Sequence, residues 1–290
     1  MTYSFFLISE TSFHASYLVT KWIEHFGRIA EFKGIAVREN PLPDNVREHR
    51  ERFHQEFAGQ RELAEADWKQ LQLLYPTLSD TEKAMIRLFG VSVHSATYHP
   101  GTVFLGSNLN SSCAQDWLVE ICQASNKPFL FIFLDQLLAS WWIELTGSRI
   151  INGHSAVLPY ARGMFAIENR AMMQDIRGFE QSAGATVHYI DTGIDTGPII
   201  RVEGIQEPLR FNSLWELKGY TFMTLFRLMT QVVMDMLKEQ ENAPIGMHAN
   251  PLLRGPNFNS RDFTLEARER AQAGYLRMKA RAMSFLRSSS

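Results

Sequence analysis

The 290-residue sequence has few cysteines and almost no net charge. Its two cysteines, Cys113 and Cys122, are nine positions apart (122 − 113) on one predicted helix, too far apart for a bridge within that helix. We therefore expect reduced thiols, as in a cytoplasmic protein. The formal net charge of −2 predicts no general attraction to nucleic acid or to anionic membranes.

The sequence also shows neither a secretory leader nor a membrane span. No basic stretch followed by an apolar run opens the chain. The longest apolar region, residues 220–237, is interrupted by Arg227 and Asp235, which favours a core helix over a membrane span. Because 45% of the residues are hydrophobic and 21% are charged, we expect a soluble cytoplasmic protein with a sizeable core.

Short apolar runs alternate with helical patterns along the chain. The continuous run Phe129–Phe133 is typical of a parallel strand covered by helices on both faces. The alternation predicts an open α/β fold, in which ligands bind at the carboxyl ends of the strands. Strands are predicted at 4–8, 32–37, 102–105, 129–133, 149–151, 185–190 and 199–202, and helices at 114–123, 137–145, from 213 onward and at 264–286.

We predict a catalytic domain over residues 1–240 and a C-terminal extension with a terminal helix over 241–290. The catalytic domain contains a polar, helix-rich insertion at about 44–90. Within that insertion, Ser79 and Glu82 are spaced as a helix capping box.

Two polar motifs follow predicted strands. Asn152 and His154 come directly after one strand, and Asp195 lies in the Gly/Pro-containing loop that follows a later one. Transfer of an acyl group between nitrogens passes through a tetrahedral intermediate with negative charge on oxygen. An amide and an imidazole can donate to that oxygen, and loss of one such donor typically costs roughly 3 kcal/mol. We expect Asn152 to be the oxyanion donor, His154 the donor and acid/base, and Asp195 the carboxylate that raises the pKa of His154 and relays protons. No metal is required.

Asn152, His154 and Asp195 are also compatible with purely structural roles. An isolated Asn-x-His is more often a turn residue with a satisfied loop histidine, and Asp195 is suited to capping its turn. His188 lies inside a predicted strand, and we interpret it as structural and not as a second base.

From Phe129 to about Val202 the sequence resembles the catalytic core of the formyltetrahydrofolate-dependent formyltransferases. That family includes phosphoribosylglycinamide, methionyl-tRNA and sugar N-formyltransferases. Matching positions are Asn152, His154, Leu158 and Pro159, then Thr186, Val187, His188, Asp195, Gly197, Pro198 and Ile199; Arg162-Gly163 resembles the family's basic-Gly step. Ser155 and Ala156 depart from the motif. The resemblance implies a three-layer Rossmann-like formyltransferase fold with a mainly parallel central sheet, extended here by a helical C-terminus.

The resemblance also implies 10-formyltetrahydrofolate as co-substrate, without a metal. Its pterin ring would lie beside the strand before Asn152 and beside the loop before Asp195, where backbone groups read its amide edge and apolar walls cover its face. The corresponding positions here are Leu134, Asp135, Gln136, Leu138 and Ile143 in the first region, and Ile190, Asp191 and Gly193 in the second. Asp135 and Gln136 are unusual there and are read either as substrate contacts or as a solvated loop tip.

The acceptor is predicted to be a small amine or hydroxylamine, such as a sugar-nucleotide amine or a hydroxyornithine-type compound. The first strand is followed by Ser9-Glu10-Thr11-Ser12, without a Gly-rich loop to cradle a phosphate, which disfavours a phosphoribosyl amine. About 50 residues follow residue 240, too few for a β-barrel tRNA-binding domain. Two alternatives to a formyltransferase stay open: a deformylase that hydrolyses 10-formyltetrahydrofolate, and a non-catalytic folate-binding protein. The position of the first strand near the start of the sequence disfavours the deformylase. The sequence leaves the oligomeric state open.

Overall fold

The first of two compact units contains residues 1–153 and 229–245. The structure is a computed structural model and describes residues 3–124, 128–239 and 243–288. The elements of this unit are β1 (Phe5–Ser9), α1 (Phe13–Phe26), β2 (Phe32–Val37), α2 (Asp44–Phe57), α3 (Glu65–Leu74), α4 (Asp80–Phe89), β3 (Val103–Phe104), α5 (Ser112–Ala124), β4 (Phe129–Ile132), α6 (Ser140–Thr146) and β5 (Ile150–His154).

The second unit contains residues 154–228 and 246–290. Its elements are β6 (Arg162–Gly163), α7 (Ala166–Met173), α8 (Ile176–Ser182), β7 (Gly184–Tyr189), β8 (Ile199–Gly204), α9 (Leu214–Glu239, whose last turns belong to the first unit), β9 (Asn257–Phe258) and α10 (Leu265–Ser288). α10 is the terminal helix that the sequence predicts.

The strand order is β3-β2-β1-β4-β5-β7-β8. β1 pairs in parallel with β2 and β4, and β4 in parallel with β5, whereas β8 runs antiparallel to β7. β6 and β9 form a separate two-stranded parallel sheet. The predicted α/β fold with a mainly parallel sheet is therefore confirmed.

Helices cover both faces of β1. Phe5 packs edge-on against Trp22 and Phe26 of α1, while its neighbour Phe6 packs against Trp117 of α5. Because successive side chains of a strand point to opposite faces, α1 and α5 lie on opposite sides of the sheet. All residues of β1 and β4 are buried, as expected for central parallel strands.

The predicted insertion at 44–90 contains α2, α3 and α4, and the Ser79–Glu82 capping box opens α4. The predicted domain boundary at 240/241 lies outside the described residues and stays a prediction. Among the helices within the described ranges, none combines the length and apolarity needed to cross a membrane.

One strand is longer than predicted, and this changes the setting of the first motif. β5 continues through His154, so Asn152 and His154 are strand residues and do not lie past the strand end. The prediction placed them in a loop because two polar side chains interrupt the apolar run.

Candidate active site

The first motif places two polar side chains on one strand. Asn152 and His154 are two residues apart on β5, and alternation along a strand directs both side chains to the same face. Asn152 is partly buried and belongs to the first compact unit. His154 is buried and belongs to the second unit, which also contains the Asp195 loop.

Hydrogen bonding sets the tautomer of His154. Its Nε2 lies 3.1 Å from the main-chain carbonyl oxygen of Ala161. A carbonyl can only accept, so Nε2 carries the proton and donates it. The other ring nitrogen, Nδ1, lies 3.6 Å from Oδ2 of Asp195. The predicted imidazole–carboxylate pair is therefore present, with Nδ1 as the nitrogen that faces the carboxylate.

The Asp195 carboxylate is held from three directions. Oδ2 accepts a 2.7 Å hydrogen bond from the main-chain N–H of Gly163, and Oδ1 lies 3.5 Å from Nε2 of His188. The backbone of Asp195 has φ of 50°, in the left-handed region that aspartate enters more readily than most residues. These contacts fix the carboxylate beside His154.

His188 lies in contact with the candidate site, which the sequence did not predict. His188 is buried on β7, as predicted, but its ring faces the Asp195 carboxylate as well as filling the core. The sequence gave one indication of this, since His188 is part of the motif that ends in Asp195. Ala161 and Gly163 were not predicted as site residues because their contribution is made by main-chain groups.

Burial and charge set the protonation states of the pair. Burial raises the pKa of Asp195, but the charges of His154 and His188 and the Gly163 hydrogen bond outweigh it and hold this pKa well below its usual range. Burial lowers the pKa of His154, the Asp195 charge opposes this, and the net direction is downward. The expected upward effect of Asp195 on the pKa of His154 is therefore present, but desolvation exceeds it, and the ring is neutral at neutral pH.

The loop before Asp195 is organised by Asp191. Its Oδ1 accepts hydrogen bonds from the main-chain N–H of Gly193 (3.0 Å) and from Oγ1 of Thr196 (2.7 Å). A Cβ at Gly193 would lie 2.1 Å from Thr196 Oγ1, so a larger residue there would displace the Thr196 hydroxyl from Asp191. The Asp191 carboxylate thus forms its hydrogen bonds within its own loop. In the same loop, Gly193 is exposed and Ile190 is partly buried.

The predicted positions after β4 belong to the first unit. Asp135 forms an ion pair with Arg38, at the end of β2. Gln136 accepts from the main-chain N–H of Leu109 (3.0 Å) and donates to Oδ1 of Asn108 (2.6 Å). Both side chains contact loops that follow β2 and β3, and Asp135 is exposed. The apolar members of the set, Leu134, Leu138 and Ile143, are partly buried.

Within the described ranges, no group of three or more His, Cys, Asp or Glu side chains is arranged to hold a metal ion. The paired imidazole and carboxylate groups are suited to moving a proton between nitrogen atoms.

Part of the chain is similar to known formyltransferases. Residues 90–206 match the family model described as formyl transferase. Phosphoribosylglycinamide formyltransferase of Bacillus subtilis is 38% identical over 71 residues, which are 24% of this chain and 34% of that protein. Methionyl-tRNA formyltransferase of Syntrophomonas wolfei is 31% identical over 107 residues, 32% of each protein. The chain thus spans about a third of the length of these curated relatives.

Solved structures extend the likeness in fold over most of the chain. An N-formyltransferase from Helicobacter canadensis, solved with folinic acid and dTDP-3-aminofucose, has a TM-score of 0.54 and 14% identity, covering 93% of this chain and 79% of its own. A sugar N-formyltransferase from Shewanella has a TM-score of 0.54 and 12% identity, covering 94% and 88%. The resemblance to the formyltransferase family and its fold is therefore confirmed.

Proposed function

We propose, on the premise that residues 90–206 belong to the formyl transferase family, that this protein is an N-formyltransferase. It transfers the formyl group of 10-formyltetrahydrofolate to an amine or hydroxylamine nitrogen of a small molecule. The observation that carries this proposal is the contact between His154 and Asp195, fixed by the Gly163 N–H. This pair lies within the stretch that matches the family model.

His154 is the proton-transfer group in this proposal. Because the ring is neutral and Nε2 donates to Ala161, the lone pair is on Nδ1. An attacking nitrogen that becomes positively charged can pass its proton to Nδ1, directly or through a water molecule. Asp195, ionised and 3.6 Å away, then stabilises the imidazolium that forms. A neutral ring beside a carboxylate is a base at neutral pH, which is the protonation state that the step requires.

Asn152 is proposed as the donor to the formyl oxygen. Its side chain projects from the same face of β5 as that of His154, and an amide N–H can stabilise negative charge that develops on oxygen. No covalent attachment to the protein is needed, because nitrogen attacks carbon and the folate nitrogen leaves.

The two regions described above are each proposed to contact folate, one region within each compact unit. The partly buried side chains of Leu134, Leu138 and Ile143 offer apolar surface to a flat ring. The Asp191 side chain fixes the shape of the loop Ile190–Gly193. The main-chain groups of this loop are proposed to form hydrogen bonds with the polar edge of the pterin. When bound there, 10-formyltetrahydrofolate supplies the formyl carbon and the leaving nitrogen.

The contacts of the loop after β1 support an acceptor other than a phosphoribosyl amine. Ser12 caps α1 by accepting from the N–H of Ala15, and Glu10 accepts from Ser12 (3.0 Å) and contacts His14 (3.0 Å). A carboxylate and a side-chain cap occupy the place where a phosphate cradle would present free N–H groups. The acceptor in this proposal is therefore a sugar-nucleotide amine or a hydroxyornithine-type hydroxylamine.

An acceptor screen with 10-formyltetrahydrofolate tests the proposal. We expect a mass gain of one formyl group on one such acceptor, and a fall in kcat of about 100- to 1000-fold for Asp195→Asn. Asp116→Asn, on the exposed face of α5, is the matched control and should retain full activity. Rapid formate release without any acceptor would support the deformylase instead. Unchanged turnover in Asp195→Asn would refute the assigned roles.

A further inference from the structure

The short segment that follows His154 supplies a partner to each member of the catalytic pair. Ala161 accepts from the His154 ring, and Gly163 donates to the Asp195 carboxylate. Both partners are main-chain groups, and they lie two residues apart at β6. The orientation of β6 therefore controls the tautomer of His154 and the position of Asp195 together.

The opposite edge of β6 is bonded to residues 255–263, which we name the C-terminal clamp. The N–H of Arg162 donates to the carbonyl of Pro256 (3.1 Å), and the N–H of Met164 donates to the carbonyl of Phe258 (3.0 Å). The parallel register of β6 with β9 places the Phe258 N–H against the Arg162 carbonyl. Alternate residues of the segment thus face the clamp, and the residues between them face the catalytic pair.

Contacts on either side extend this attachment. Before β6, the N–H of Gly255 donates to the carbonyl of Pro159 (2.8 Å). After β6, the rings of Phe165 and Phe263 stack with centroids 4.2 Å apart. The clamp therefore follows the segment along its whole length, from Pro159 to Phe165.

The approach of the two backbones is so close that Gly163 has no room for a side chain. A Cβ at this position would lie 2.1 Å from the carbonyl oxygen of Phe258, and Gly163 has φ of 79°. Glycine here allows one N–H to reach Asp195 while the clamp packs directly behind it.

We infer that the C-terminal clamp positions the His154–Asp195 pair. The main chain of Phe258, in β9, holds β6 in place, and β6 in turn orients the pair. This inference rests on the proposed function, which gives the pair its role. None of the clamp lies within the stretch that matches the family model, residues 90–206.

If the ladder between β6 and β9 is broken, Ala161 and Gly163 lose their alignment together. Misplacement of catalytic groups by about 1 Å can lower kcat up to about 100-fold without a matching loss of binding. Loss of the Ala161 hydrogen bond also removes a contact that raises the pKa of His154, so the acid limb of the pH–rate profile, where this base becomes protonated, moves to lower pH.

Two substitutions at one position separate the main chain from the side chain. Phe258→Pro removes the N–H that bonds Arg162, whereas Phe258→Ala removes the ring and keeps the ladder. We expect Phe258→Pro to lower kcat at least 10-fold more than Phe258→Ala, with KM for the folate changed less than about 3-fold and a shift of the acid limb to lower pH. Equal kcat values and superimposable pH profiles for the two variants would overturn the inference.

A second pair of variants covers the case in which Phe258→Pro does not fold. Phe263→Ala removes the stacking on Phe165, and Leu265→Ala, two positions along and exposed, is its control. We expect only Phe263→Ala to shift the acid limb to lower pH. Identical profiles for these two variants would count against the clamp.

Nitrogen-15 NMR of the ligand-free protein gives a readout that does not depend on turnover. We expect His154 to be the Nε2–H tautomer in the wild type and a mixture in Phe258→Pro or Phe263→Ala. An unchanged tautomer in folded variants would refute the clamp. Absence of formyl transfer by the wild type with every acceptor would refute the proposed function alone, since the tautomer still reports on the clamp.

Discussion

At the residue scale, the Asp195 carboxylate lies between two imidazole rings. Its oxygen atoms are 3.6 Å from Nδ1 of His154 and 3.5 Å from Nε2 of His188. Charge on His188 lowers the pKa of both neighbours, because it favours the ionised carboxylate and disfavours a second cation on His154. His188 is therefore a positioning residue that, in addition to burial, lowers the pKa of His154.

Replacement of His188 tests this role. In His188→Asn the pKa values of Asp195 and His154 both rise, so the acid limb of the pH–rate profile moves to higher pH. We expect kcat at pH 7 to fall about 10-fold, with a smaller loss at pH 8.5. The pH profile of kcat, measured with saturating donor and acceptor, checks the prediction.

The matched control is His49→Asn, on the exposed face of α2. Its profile should superimpose on that of the wild type. A purely structural role for His188 would instead lower the amount of folded enzyme and leave the limb in place.

At the element scale, α7 and α9 are joined by a buried ion pair. Nζ of Lys218 lies 3.1 Å from Oε2 of Glu168, and the two side chains are only 7% and 4% exposed. Lys218 also contributes to the lowered pKa of His154. A buried pair is costly to break, because the remaining charge has neither water nor a partner.

Lys218→Met should therefore destabilise the protein by about 3–5 kcal/mol, whereas the double variant with Glu168→Met should recover most of that loss. Arg227→Met, which removes an exposed pair with Glu203, should cost less than about 1 kcal/mol. Denaturant unfolding of the four proteins measures these values. Equal losses for Lys218→Met and Arg227→Met would contradict the buried-pair account.

Elements with a clear periodicity were predictable from the sequence, and others were not. β2 was predicted with its observed bounds, and α4 with its capping box. α7 was missed because residues 166–171 are buried on every side, Glu168 and Arg170 included, so no amphipathic pattern marks the helix. β6 and β9 have two residues each, too few for any alternation.

At the scale of the whole molecule, stability depends on pH through a buried network in the first unit. His14 contacts Glu10 and Glu82, each at 3.0 Å. Burial lowers the pKa of His14, but the two carboxylates outweigh it and raise the pKa from 6.5 to about 10. Burial raises the pKa of Glu82, but His14 and Ser79 bring it from 4.5 to about 2.

The sign of the pH dependence follows from these shifts. The folded state keeps the His14 proton up to about pH 10 and the unfolded state only to 6.5, so this stability is lost as pH rises between those values. The Glu82 contribution is present above 4.5 and is lost as pH falls toward 2. We expect the free energy of unfolding to be highest near pH 4.5–6.5 and to fall toward pH 10.

Denaturant unfolding of His14→Gln and of the wild type across this range measures the effect. The variant should lose most of the decline above pH 6.5. His25→Gln, at an exposed position of α1, should keep it. Parallel curves for the wild type and His14→Gln would contradict the assignment.

The candidate site was predictable where side chains carry the chemistry. His154 and Asp195 could be paired from the sequence because each motif lies at or after the carboxyl end of a predicted strand, and such ends meet at one edge of a sheet. The protonation state of His154 could not, since it depends on burial. The C-terminal clamp could not be predicted either. Its hydrogen bonds join main-chain groups, which leave no pattern of residue types, and they connect positions 95 apart (257 − 162).

The separation of β6 and β9 along the chain affects the order in which the site forms during synthesis. A ribosome adds about 5–20 residues per second, and Phe258 follows Asp195 by 63 positions (258 − 195), so it is made roughly 3–13 s later. Throughout that interval a growing chain already contains every proposed catalytic side chain and lacks the strand that aligns them. Closing so long a loop is slow compared with forming local contacts. Catalytic competence in a newly made molecule should therefore appear late, after most of its secondary structure.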